Sequence, residues 1–276
     1  MDRFGVRMIR ESGYRDIRVE RYGDGIVVVT LDRPDKLNAL TFEMFDELTE
    51  LCHDLEGQED VRVVVLTGAG RGFCAGLDLS AVRALVDMTP TQFLRGQEKW
   101  AGASQAICSL TTPVIAAVNG PAAGAGMSLA LACDIRIAST AATFNAAFIR
   151  VGLTGGDMGS SYLLPRIVGL GIANELLLTG RFVDAAESAR IGLVNSTVEP
   201  DDLLRTAMEL AGRIAANSPF GVRLTKQVIQ TNLGAASLAQ GLELENRNQA
   251  LAAGTVDMRE ALDAFLEGRS ATFSWA

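Results

Sequence analysis

Gly124, Ala125 and Gly126 stand where a β-branched run, Val114–Val118, breaks at Asn119-Gly120-Pro121 and an apolar stretch ending before Asp134 begins. The pattern reads as strand, turn and helix. A helix leaves its first N–H groups without intrahelical partners, and small residues there let a ligand approach the backbone closely. Such N–H groups suit an atom on which negative charge develops. The plainer alternative is a buried strand–turn–helix whose small residues serve packing alone.

Other residues narrow the chemistry by exclusion. A single histidine, His53, rules out any site needing two imidazoles, and its place in an amphipathic segment points to a surface or packing role. Ser128, Ser160 and Ser161 therefore lack the histidine that would activate a nucleophilic hydroxyl. Cys52, Cys74, Cys108 and Cys133 lie far apart with no paired spacing, which fits reduced thiols in a cytosolic protein and offers no metal site. Gly68-Ala69-Gly70-Arg71-Gly72 superficially suggests a dinucleotide loop, but the sixth position is Phe73 and no helix opens behind it.

A chain of 276 residues can form one large domain, or one domain with an appendage. With 48% hydrophobic and 21% charged residues it reads as a soluble globular protein. A net charge of −8 opposes a nucleic acid or an anionic membrane as partner. The uncharged run from Trp100 to Cys133 exceeds the roughly 20 residues a bilayer requires. Thr111-Thr112-Pro113, Asn119-Gly120-Pro121 and the glycines cut it too short to cross. The N-terminus, with Asp2, Arg3, Arg7 and Arg10, does not read as a signal peptide.

The elements that must position these residues follow from periodicity and punctuation. Residues 1–16 read as a polar, loosely ordered extension. Ile17–Arg21 and Ile26–Leu31 flank Tyr22-Gly23-Asp24-Gly25 as a hairpin. Thr41 caps a predicted helix reaching Leu55. Val61–Leu66 reads as a buried strand, and a helical region broken at Thr89-Pro90 runs from Asp78 to Leu110. Strands are predicted at Val114–Val118 and Ile135–Ala138, with helices near 126–132, 160–168 and 172–178 and a capping box at Asp184–Glu187. From Asp201 the chain reads as helix alone: 202–216, 219–231, 236–252 and 256–267. The expectation is an α/β body over 17–200 and a helical region over 201–276.

Several separated motifs occur in one order: Leu31-Asp-Arg-Pro-Asp-Lys-Leu-Asn-Ala-Leu40, Val64-Val-Leu-Thr-Gly68, Gly72-Phe-Cys-Ala-Gly-Leu-Asp78, Pro113-Val-Ile-Ala-Ala-Val-Asn-Gly120, Cys133-Asp-Ile-Arg136, Leu164-Pro-Arg166 and Leu178-Thr-Gly-Arg181. Together they resemble the crotonase superfamily of enoyl-CoA hydratases and isomerases, from about Ile17 to Gly268. The resemblance implies an α/β fold, a spiral of β-β-α repeats, whose C-terminal helical region mediates trimers or hexamers. It implies an acyl-CoA substrate, coenzyme A being part of that substrate and no other cofactor.

The shared chemistry is stabilisation of a thioester enolate by two backbone N–H groups. Carried over, these belong to Leu77 and Ala125, with Ala75, Gly76 and Gly124 around them. Family hydratases place two glutamates where this sequence has Ser128 and Phe148, so ordinary water addition is not expected. Gly152-Leu-Thr-Gly-Gly-Asp-Met-Gly159 is similar to the loop where family isomerases place an aspartate, with one residue more, and Asp157 takes that role. The implied reaction is double-bond isomerisation with one carboxylate as acid and base. The alternatives are a hydratase with atypical acid/base groups and a catalytically weak acyl-CoA binding protein. Asp157 acting only as a helix cap before Ser160 is the plainer alternative for that residue. Arg33, Lys36 and Lys226 are the implied contacts of the coenzyme A phosphates or adenine. Leu203, Leu204, Ala207 and Leu210 form an apolar stripe expected to pack between subunits.

Overall fold

The computed structural model describes residues 9–11 and 13–274. Its strands are β1 (Ile9–Glu11), β2 (Ile17–Tyr22), β3 (Ile26–Leu31), β4 (Val63–Gly68), β5 (Val114–Val118), β6 (Ala122–Ala123), β7 (Ile135–Ser139), β8 (Thr143–Asn145), β9 (Val183–Asp184) and β10 (Ser196–Val198). The helices are α1 (Phe42–Leu55), α2 (Leu79–Val86), α3 (Pro90–Ser109), α4 (Ala125–Ala132), α5 (Ser160–Val168), α6 (Leu170–Thr179), α7 (Ala185–Arg190), α8 (Leu203–Ala215), α9 (Pro219–Asn232), α10 (Leu238–Ala253) and α11 (Val256–Glu267). Among the described residues no helix is long and apolar enough to cross a membrane.

The larger sheet has the order β1-β2-β3-β4-β5-β7-β10. β1, β2 and β3 pair antiparallel, and every pairing from β3 to β10 is parallel. β3, β4 and β5 are buried along their whole length, as a sheet covered on both faces demands. A smaller sheet has the order β6-β8-β9. Isolated bridges, Leu40↔Leu77 and Cys74↔Ala122, carry its line back towards the first half of the chain. After each of β3, β4, β5 and β7 the chain thus drops into this second layer before its next helix. That alternation is the spiral of β-β-α turns.

Local signals act where the sequence places them. The Thr41 hydroxyl accepts the Met44 N–H at 3.3 Å, and Thr89 with Gln92 completes a capping box that restarts the chain as α3. One face of the sheet packs on α1, α3 and α4 in the main core, with Phe45, Phe73, Leu129 and Met127 fully buried.

Two expectations change. Residues 9–11 lie in the polar extension yet pair with β2, Ile9 opposite Arg21; the rest of 1–12 falls outside the described residues. The α8 stripe is covered by the sheet itself: Leu203, Ala207, Met208 and Ala211 pack on Ile26, Val28, Val63, Val65 and Ile115. The helix closes the second face of the α/β body and so buries most of its apolar side within the chain, with Leu204 still 36% accessible.

Candidate active site

Two backbone segments converge. Phe73 and Cys74 both donate their N–H groups to the Pro121 carbonyl, at 3.1 and 3.0 Å, and Ala123 N–H donates to the Cys74 carbonyl at 2.9 Å. On the other side Leu40 N–H donates to the Gly76 carbonyl at 2.7 Å, and Asp78 N–H donates to the Leu40 carbonyl at 2.8 Å. In a trans peptide the C=O and N–H point opposite ways. Leu40 therefore turns the Leu77 N–H away from itself by holding the Gly76 carbonyl. The Gly124 carbonyl accepts the Ser128 N–H at 3.0 Å in the first turn of α4, which points the Ala125 N–H out of the helix start. Neither N–H donates to a described residue, and Leu77 and Ala125 line one cavity of about 240 Å³.

Glycine at two positions makes this approach possible. Gly76 has φ of +95°, and a Cβ there would stand 2.8 Å from the Ala123 carbonyl oxygen. Gly124 has φ 51° and ψ −118°, a conformation open only to glycine. Sequence reasoning missed the two asparagines that hold the preceding loop. Asn38 donates to the Ala69 and Gly72 carbonyls at 2.9 and 2.7 Å, and Asn119 donates to those of Gly70 and Gly72 at 2.9 and 3.0 Å. Their signal was present, an asparagine in each of two motifs, but their common target is a tertiary fact. The glycine cluster is thus a scaffold for Cys74–Leu77. Burial pushes the Cys74 thiol beside it up to about 12, so the sulfur stays protonated.

Asp157 lines the same cavity, whose walls include Phe45, Val82, Phe93, Trp100, Phe148 and Met158. It is the one ionisable side chain among the described lining residues. Its Oδ1 accepts Gln97 Nε2–H at 2.6 Å and Met158 N–H at 2.7 Å. Burial pushes the carboxyl above its ordinary value, while those two hydrogen bonds pull it back. Asp157 does not cap α5. The residue before that helix is Gly159, without a side-chain cap, and only the Asp157 main chain meets Ser160.

Ala75, Gly76, Gly124 and Phe148 line the cavity. Ser128 does not. It is fully buried in α4 and donates its hydroxyl to the Asp157 carbonyl oxygen at 3.2 Å, bracing the loop from behind. Lys226 lies in a different cavity, beneath α9, paired with Asp134 at 2.7 Å and donating to the Thr112 carbonyl at 3.0 Å. Such a buried, paired ammonium is not free to meet a phosphate. Arg33 spends its guanidinium on Asp78 at 3.0 Å and on the Ala39 carbonyl. Asp78, held at about 2 by the Ser80 hydroxyl and amide and by Arg33, caps α2 directly after Leu77. Lys36 is exposed.

The family model for enoyl-CoA hydratase/isomerase matches residues 21–275. A probable enoyl-CoA hydratase of Mycobacterium tuberculosis is 42% identical over 272 residues, 95% of each chain. The chain belongs to the enoyl-CoA hydratase/isomerase family. A 1,2-epoxyphenylacetyl-CoA isomerase of Escherichia coli is 39% identical over 256 residues, 91% of this chain and 95% of the relative. The crystal structure of an enoyl-CoA hydratase from Bacillus anthracis superposes with a TM-score of 0.90 at 35% identity, covering 95% of this chain and 100% of that one. The crotonase fold, with its helical C-terminal region, is therefore that of this chain, and relatives named for both activities share it.

Proposed function

We propose that this enoyl-CoA hydratase/isomerase family member moves a double bond along the acyl chain of a coenzyme A thioester. The Asp157 carboxylate takes a proton from C2 of a 3-enoyl-CoA. The C–H electron pair passes into the thioester carbonyl, and the resulting dienolate oxygen is held by the Leu77 and Ala125 N–H groups. Such donors are worth about 3–4 kcal/mol each in the transition state. The protonated Asp157 then returns its proton to C4, leaving the 2-enoyl-CoA. Coenzyme A is part of the substrate and no further cofactor takes part.

One observation carries the reading: a single carboxylate shares a small apolar cavity with two unspent backbone N–H groups. Hydration is the second reading, favoured by the name of the Mycobacterium tuberculosis relative. Ser128 and Phe148 supply no carboxylate to activate water, so hydration would have to proceed through Asp157 alone. Lys36 follows into this reading as a phosphate contact, since the adjacent Leu37 carbonyl accepts the Ala75 N–H at 2.9 Å.

The test is conversion of 3-enoyl-CoA to 2-enoyl-CoA, run beside hydration of 2-enoyl-CoA. Asp157→Asn keeps the shape and removes the base. Isomerisation is expected to fall by about 10²-fold or more with acyl-CoA affinity kept. Brisk hydration by the wild type, or undiminished isomerisation by the variant, overturns the proposal.

A further inference from the structure

Phe93, Gln97 and Trp100 stand at i, i+4 and i+7 on α3 and so share the face that walls the cavity. Two of the three are aromatic. Trp100 stacks on Phe42 with ring centroids 4.5 Å apart and meets Phe93 edge-on at 6.1 Å, which pins α3 against α1. An amide on such a face costs free energy unless it is hydrogen-bonded. Gln97 Nε2–H is spent on Asp157 Oδ1, which also accepts the Met158 N–H, while Oδ2 has no partner among the described residues.

We infer that Gln97 is a positioning residue that clamps Oδ1 of Asp157 and leaves Oδ2 as the atom that takes and returns the substrate proton. The inference rests on the isomerase reading of the site. Oδ1 already accepts two hydrogen bonds, one for each of its lone pairs. A proton arriving from C2 therefore bonds to Oδ2, and Oδ1 becomes the carbonyl oxygen of the acid. Gln97 and Met158 donate to Oδ1 in both protonation states, so nothing around the base has to rearrange as the proton moves from C2 to C4. A neutral amide is suited to this place: a lysine would hold the carboxylate too acidic to act as a base, and a second carboxylate would compete for the proton.

Gln97→Met keeps length and helix propensity and removes the donor; Gln97→Glu sets a second acid against the first. Loss of a hydrogen bond to the ionised form raises the carboxyl pKa, by about one unit or more for a charged acceptor. The base works ionised, so its activity disappears as pH falls through that pKa. The acid limb of kcat/KM is expected about one unit or more higher in Gln97→Met, and higher still in Gln97→Glu, while KM stays near the wild-type value. Independently of turnover, the Asp157 carboxyl carbon, labelled with carbon-13 and assigned by its absence in Asp157→Asn, is expected to titrate upward by the same amount. Wild-type pH limbs and an unmoved carbon titration in Gln97→Met overturn the clamp. Full isomerase activity in Asp157→Asn overturns the isomerase reading instead, and with it the role of Oδ2, whatever Gln97 does.

Discussion

Replacing Gly126 by alanine sets helix propensity against the packing of the site. Gly126 lies in the first turn of α4 and its φ is not positive, so by local rules alanine belongs there. The exchange would stabilise an exposed helix interior by about 0.8–1.0 kcal/mol. Here a Cβ would stand 2.1 Å from the Cys74 carbonyl oxygen and 2.7 Å from the Cys74 Cβ. Both are shorter than the 3.0 Å below which real Cβ atoms essentially never pack, so the segments must part by about 0.9 Å. Overpacking of a tight core costs typically about 1–3 kcal/mol, which matches or exceeds the propensity gain. Net destabilisation of up to about 2 kcal/mol is the result. The strain falls where Cys74–Leu77 is held against the start of α4, so the Leu77 and Ala125 N–H groups separate. A displacement near 1 Å at a reacting centre can cost about 10²-fold. Urea unfolding at pH 7 and the isomerase assay on the same preparation measure the two effects. A Gly126→Ala protein about 1 kcal/mol more stable than wild type with unchanged kcat would falsify the claim that this contact sets the site.

Lys226→Met leaves Asp134, a quarter exposed in its side chain, without its cation while it still accepts the Val114 N–H at 2.7 Å. Unfolding free energy is expected to fall by about 2–3 kcal/mol, below the range for a wholly buried pair, with KM for acyl-CoA unchanged. A several-fold rise in KM with stability intact would return Lys226 to the coenzyme A site. Helices α9 and α11 expose large apolar side chains, with Ile229 58%, Phe265 82% and Leu266 73% accessible. That surface is expected to be covered by further copies of the chain, giving trimers or hexamers by light scattering at micromolar concentration, and a monomer there would refute it.

What was legible in the sequence was local. Thr41 and Asp184 cap helices because a cap needs only residues three positions apart, and β3, β4 and β5 announce burial on both faces by runs of β-branched and aliphatic residues in which Thr30 and Thr67 are the polar members. The extent of α9 and α11 follows from proline, glycine and period alone. Strands of two or three residues, β6, β8 and β9, leave no periodic signal, because their pairing partners make them strands. The glycines beside Leu77 and Ala125 were visible as types, and the family motifs made them a pair. Only the tertiary structure brought Gln97 to Asp157 across 60 residues, turned Ser128 from the cavity to the back of the loop, and buried Lys226 against Asp134. Side-chain direction and desolvation depend on packing between distant segments, and neither is written in the neighbours of a residue along the chain.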